Sequence, residues 1–234
     1  GLKRVVKYSP GCEVSYPGRS AIVIRHSLIL RLLMITLYQF EISPFCDKTR
    51  RALTYKGLEF EMKEMLFSQE AENLQVSPTH KFPVIDCDGD RIADSTNIAY
   101  YLEEKFPQPP LCPADPASRA HMHIIEDWAD ESLFPYDLAM RGLWEHNIPL
   151  LIDDIFKYET PELQKMFAET VPDGIRQQLV AAGLGRKDKK TILNDVRRHL
   201  EAVNALIEAN GWLVGDHLSF ADIAVAAMFF VINR

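Results

Sequence analysis

The sequence predicts an α/β domain of order βαβ–ββα followed by an all-helical domain. Three observations carry that prediction. A short apolar run, Ile35 to Phe40, leads into Ser43-Pro44 and a segment with helical spacing. Asp88-Gly89 separates two further apolar runs, and beyond a proline-rich stretch from Gln108 to Pro116 apolar residues recur only at helical intervals. The 234 residues suit one large domain or two small ones, and 47% hydrophobic with 25% charged residues is ordinary for a globular chain.

Each element has its own signal. Ile35 to Phe40 reads as the first strand, and Ser43 followed by Pro44 starts a helix that Gly57 stops. Leu58 to Met62 alternates and reads as a second strand, which a helical crossover makes parallel to the first. Ser68 to Val76 is polar, a short helix with loop. Phe82 to Asp86 and Arg91 to Ala93 flank Asp88-Gly89, the strongest hairpin signal in the chain. Ser95 to Phe106 carries Ile98, Tyr101-Leu102 and Phe106 at helical spacing until Pro107. In the second half, Met122, Ile125, Trp128 and Ala129 trace one stripe, and Ile192, Val196, His199-Leu200, Val203 and Leu206-Ile207 another. Ser219 with Asp222 forms a capping box for the last helix, with Leu218 placed to staple onto Ile223. The order is that of a thioredoxin-like domain over residues 34–108, a linker over 109–116 and a helical domain over 117–234.

Residues 1–33 stand apart. They carry Lys3, Arg4, Lys7, Arg19, Arg25 and Arg31 against Glu13, as a transit peptide would, yet Pro10, Gly11, Pro17 and Gly18 break any amphipathic helix. The expectation is that the native protein begins at Met34 and that 1–33 is a non-native or disordered extension. The last helix is still apolar at Phe229 to Ile232, so the helical domain is expected to be truncated at Arg234.

Charge and cysteine content narrow the function. A net charge of −7 argues against nucleic acid as a partner. Lys187, Lys189, Lys190, Arg197 and Arg198 cluster, but Asp188 and Asp195 interleave and suggest a solvated face. Cys12, Cys46, Cys87 and Cys112 show neither C-x-x-C nor zinc spacing, and free thiols fit a reducing, cytoplasmic setting. No apolar run spans a bilayer, so no membrane partner is expected. Asp86, Asp88 and Asp90 lack the spacing of a calcium loop, and His121 and His123 point to different helix faces, so no metal is expected. Gly183-Leu184-Gly185 lacks the third glycine and the strand of a dinucleotide site.

The Ser43 turn has two readings. Ser-Pro is an ordinary helix start, and the same helix N-terminus stabilises an anion. With Cys46 three residues on, the turn has the second cysteine position of a redox dithiol but not the first, so dithiol exchange lacks its partner and Cys46 reads as a small buried side chain.

Residues 34–234 resemble a cytosolic glutathione S-transferase of the serine type. The resemblance rests on Ser43-Pro44-Phe45-Cys46, Ser77 to Val84, Asp94-Ser95-Thr96-Asn97-Ile98 with Tyr101-Leu102-Glu103, and Gly215 to Ala224, in the family's order and spacing. It implies glutathione as co-substrate, a small hydrophobic electrophile, detoxification chemistry and a homodimer. Ser43 would be catalytic. A thiol of pKa about 8.5 needs about 2.7 kcal/mol to ionise two units lower, and a hydroxyl donor supplies about 1.5–3 kcal/mol of it. The resemblance also implies a cis bond before Pro83, exposing the Phe82 main chain to the cysteinyl group; Pro83 equally suits a plain strand start. Lys81 would meet the glycyl carboxylate, Ser95 the γ-glutamyl carboxylate and Asp94 its ammonium, although Asp94 and Ser95 also suit plain capping and Lys81 a solvated surface. The electrophile is expected near Trp128, Leu133 and Phe134. Ile175 to Arg186 is similar to metaxin-related and failed-axon-like relatives, which leaves a non-catalytic interaction module as the alternative. A glutathione-dependent isomerase or dehalogenase is a third reading of the same site.

Overall fold

A computed structural model of the protein describes residues 34–229. The expectations for residues 1–33, and for the chain beyond Phe229, lie outside the described residues.

Strand β1 (Ile35–Gln39) is followed by α1 (Pro44–Tyr55), β2 (Phe60–Glu64), α2 (Glu70–Val76), β3 (Val84–Cys87), β4 (Asp90–Ala93) and α3 (Ser95–Lys105). The sheet order is β2-β1-β3-β4, with β1 parallel to β2 and the other pairs antiparallel. This is the thioredoxin-like arrangement the sequence predicts. The hairpin turn is Asp88 at φ 53° and Gly89 at φ 93°, a pair of left-handed residues whose twist matches the flanking strands.

Two strands are displaced from their expected places. β2 begins at Phe60 rather than Leu58, because the Leu58 N–H closes the end of α1 on the Leu53 carbonyl at 3.0 Å. Gly57, at φ 66°, makes that reversal possible. Leu58 stays buried as part of the turn. β3 begins at Val84 rather than Phe82, since the ladder with β1 starts at the Tyr38–Val84 pair.

Beyond the linker the described residues are helical: α4 (Pro116–Trp128), a π-helical turn (Ala129–Leu133), α5 (Phe134–Gly142), α6 (Ile148–Phe156), α7 (Pro161–Ala181), a 3₁₀ turn (Leu184–Arg186), α8 (Lys189–Asn210) and α9 (Phe220–Met228). The capping box at Ser219 forms as expected, and the Asp222 carboxylate also accepts the Leu213 N–H at 2.8 Å. One apolar core runs through both halves: Ile35, Leu37, Leu53, Ile85, Ile98 and Leu102 pack with Met122, Ala129, Leu133, Phe220, Ile223 and Met228. A second core, around Ala139, Leu179, Leu184, Ile192 and Val196, holds α5, α7 and α8 together. Among the described residues no helix is long and apolar enough to cross a membrane.

The basic cluster near α8 is exposed, as a solvated face would be, with one exception in Asp195. Asp195 is buried beneath that face and holds Lys187 at 2.6 Å, Arg198 and the Tyr136 hydroxyl at 3.0 Å, so it also joins α8 to α5. The bond from Lys187 holds its carboxyl below the usual range.

Candidate active site at the Ser43 turn

The register of the sheet determines what meets at this site. Tyr38, Val84 and Ala93 sit side by side across β1, β3 and β4. The chain just past that row, on one end of the sheet, is the Phe40–Ser43 turn, Phe82–Pro83 and Asp94–Ser95. Two contacts tie them: the Phe40 and Phe82 rings meet edge-on at 5.2 Å, and the Asp94 N–H reaches the Pro83 carbonyl at 3.2 Å.

Ser43 is half-buried and caps α1, its Oγ accepting the Cys46 N–H at 3.4 Å. Acceptance by the oxygen leaves the hydroxyl proton available to a further acceptor. Cys46 is fully buried, and that burial pushes its thiol up to about 11, against weaker opposing pulls from the Phe40 backbone and Ser43. Its place as a small buried side chain agrees with the sequence.

A brace beneath the turn has no sequence signal. Glu64, at the end of β2, accepts the Gln39 side-chain amide at 3.0 Å and the Glu41 N–H at 2.6 Å. Arg50 reaches back from α1 to Gln39 Oε1 at 2.6 Å and the Glu41 carbonyl at 3.1 Å. Desolvation raises the Glu64 carboxyl, partly offset by its bond to Glu41.

The Phe82–Pro83 bond is cis. Phe82 is half-buried and Pro83 buried, while Lys81 is exposed with its carbonyl held by Ser77 Oγ at 2.7 Å. Asp94 adopts φ 79° and caps α3, Oδ1 accepting the N–H groups of Thr96 at 3.0 Å and Asn97 at 3.1 Å. Ser95 is the first residue of α3 and only 3% exposed.

Of the three residues expected around an electrophile, Phe134 alone meets α1, its ring edge-on to Phe45 at 4.9 Å. Leu133 is sealed in the core, and Trp128 packs against His199 at 5.4 Å. The helical domain also reaches the Ser43 turn from the far side. Lys157 pairs with Glu41 at 2.8 Å, the Tyr158 hydroxyl donates to the same carboxylate, and Glu159 accepts the Ser68 N–H at 3.1 Å and Oγ–H at 2.6 Å. Phe67 and Phe156 meet edge-on at 5.3 Å alongside.

A buried ion cluster joins the domains below Ser95. Lys48, wholly buried on α1, reaches Glu126 of α4 at 2.7 Å, Asp130 of the π-helical turn, and Thr96 Oγ1 of α3 at 3.2 Å. Among the described residues no group of three or more His, Cys, Asp or Glu side chains is arranged to hold a metal.

Residues 37–110 match the family model described as glutathione S-transferase, N-terminal domain, and residues 162–234 that of the C-terminal domain. The chain is 26% identical over 214 residues to the isoprene-epoxide–glutathione S-transferase of a Rhodococcus species, covering 82% of this chain and 84% of that protein. It is 28% identical over 203 residues to FtsZ-localized protein A of Caulobacter vibrioides, covering 85% and 77%. A solved glutathione S-transferase from Rhodospirillum rubrum superposes with a TM-score of 0.62 at 28% identity, covering 85% of this chain and 78% of that one.

Proposed function

The chain belongs to the glutathione S-transferase family, and from that membership we propose that it activates the thiol of glutathione at Ser43 for attack on a small apolar electrophile. The observation that carries this reading is the meeting of the Ser43 turn, the cis Phe82–Pro83 bond and the Asp94–Ser95 helix start on one end of the sheet. The Ser43 hydroxyl donates to the glutathione sulfur and, with the N-terminus of α1, favours its thiolate. Phe82 pairs its main chain with the cysteinyl unit as an added strand would, and Lys81 meets the glycyl carboxylate. Ser95 and Asp94 take the γ-glutamyl carboxylate and ammonium. The thiol proton passes to solvent, and the thiolate forms a C–S bond as the carbon's bond to halide or epoxide oxygen breaks; halide departs with the bonding pair, whereas the epoxide oxygen keeps the pair and takes up a proton.

The electrophile sits beside Phe134 and Phe45, where the two domains face each other. The same reading carries a homodimer and a cytoplasmic location. Titration calorimetry with glutathione, followed by a panel of aryl halides and epoxides, tests it. Retention of glutathione with conjugation of at least one electrophile is the expected result, and failure to bind glutathione would overturn it. A second reading is favoured by the similarity to FtsZ-localized protein A: a transferase fold used to bind a protein partner. Glutathione binding with no turnover across the panel would select that reading.

A further inference from the structure

Lys48 is wholly buried, and its three ammonium protons go to Glu126, Asp130 and Thr96. The Glu126 oxygen that accepts from Lys48 also accepts the Thr96 hydroxyl at 2.5 Å. Asp130 Oδ1, shielded from water, has no hydrogen-bond partner among the described residues. Two carboxylates therefore share one ammonium, which leaves the cluster one negative charge in excess where such a charge is costly. Thr96 links this cluster to the surface: its hydroxyl is in the cluster, and its N–H is bonded to Asp94 Oδ1 at 3.0 Å. The charged groups facing Asp130 are Lys48 from α1, Glu126 from α4 and Asp94 ahead of α3.

We infer that Lys48, Glu126 and Asp130 form a buried counter-charge that makes the site select a ligand carrying an ammonium group at Asp94, with Asp130 as the positioning residue. The inference rests on the glutathione reading, in which that group is the γ-glutamyl ammonium. Burial pushes the Asp130 carboxyl up to about 6, against the pull of Lys48, with Glu126 and Asp94 raising it further. An ammonium at Asp94 favours the ionised carboxylate. Without that cation a proton serves the same purpose. Affinity for an ammonium-bearing ligand is therefore full above this range and falls as Asp130 must first lose a proton.

The test compares glutathione with its des-amino analogue, in which glutaryl replaces γ-glutamyl, by titration calorimetry between about pH 5 and pH 7.5. Effects at the glycyl end act on both ligands and cancel in the ratio of affinities. In the unaltered protein the preference for glutathione should shrink by about three-fold or more toward pH 5. In Asp130→Asn that ratio should lose its pH dependence. A ratio independent of pH in the unaltered protein overturns the inference while leaving glutathione binding intact. Failure of both ligands to bind overturns the glutathione reading and this inference with it.

Discussion

Ser43, the cap of α1, and Cys46 in its first turn differ in what the proposed chemistry asks of them. The Cys46 thiol, buried and pushed up to about 11, remains protonated at neutral pH, whereas Ser43 needs no ionisation to donate a hydrogen bond. Cys46 should therefore resist iodoacetamide at neutral pH in the folded protein, as mass spectrometry would read, and Cys46→Ser should keep most conjugating activity. Ser43→Ala should slow conjugation about ten-fold or more, since a lost donor worth ~1.5 kcal/mol raises the bound thiol by about one unit. The reverse pattern would assign the chemistry to the cysteine. On the proposed reading Asp94 combines helix capping with ligand binding, and one substitution separates the two. Asp94→Asn keeps an acceptor for the Thr96 and Asn97 N–H groups and tolerates the left-handed backbone, but loses the charge. It should raise KM for glutathione about ten-fold with little change in kcat, because the group it meets is remote from sulfur. An unchanged KM would leave Asp94 as a helix cap only.

At the level of elements, the 3₁₀ turn after α7 shows how closely the helical domain is packed. A Cβ on Gly185 would lie 2.7 Å from the Val180 nitrogen and 2.9 Å from the Leu179 carbonyl carbon, backbone atoms that cannot swing aside. Gly185→Ala should cost about 1–3 kcal/mol, visible as an earlier midpoint in urea. No change would mean that the turn yields. The glycine that failed as part of a nucleotide motif thus has a packing reason. The first domain was legible because each boundary has local chemistry: Ser43-Pro44, Gly57, Asp88-Gly89, Asp94. The helices from Phe134 to Ala181 were not. Pro135, Pro149 and Pro161 read as breakers but occupy first turns, Pro172 sits inside α7, and the π-helical turn carries α4 into α5 without a break. Motif order named Ser43, Phe82, Pro83, Asp94 and Ser95 as candidates, and the sheet register brings these five to one end. The Glu64–Arg50 brace and the burial of Lys48 depend on partners far along the chain, and no local pattern announces either.

Across the whole molecule, the Lys48 cluster fastens the two domains, and its removal should be felt everywhere. Lys48→Met leaves Glu126 and Asp130 buried without a cation, which costs about 3–5 kcal/mol. The melting temperature should fall by roughly 10 °C at pH 8. Below about pH 6 the loss should be smaller, because the Asp130 carboxyl, which burial already pushes up to about 6, can take up a proton once its cation is gone. Equal losses at both pH values, read by calorimetry, would show that the lysine acts through packing alone.

The contact of Lys157, Tyr158 and Glu159 with Glu41 and Ser68 is different in kind. It lies beside the Ser43 turn, with Lys157, Tyr158 and Ser68 exposed and Glu159 buried. The two domains thus have two fastenings, the core with Lys48 as a spine and this contact as a clasp. Within it the Lys157–Glu41 pair is the part open to water, and salt weakens such a pair. The Ser68 amide, held by Glu159, should exchange with deuterium through openings that about 0.5 M salt accelerates, whereas the amide of buried Leu37 in β1 should exchange only when the whole chain unfolds. A common salt response at both amides would mean that the clasp cannot open while the spine holds, and that a reactant must reach Ser43 by another way.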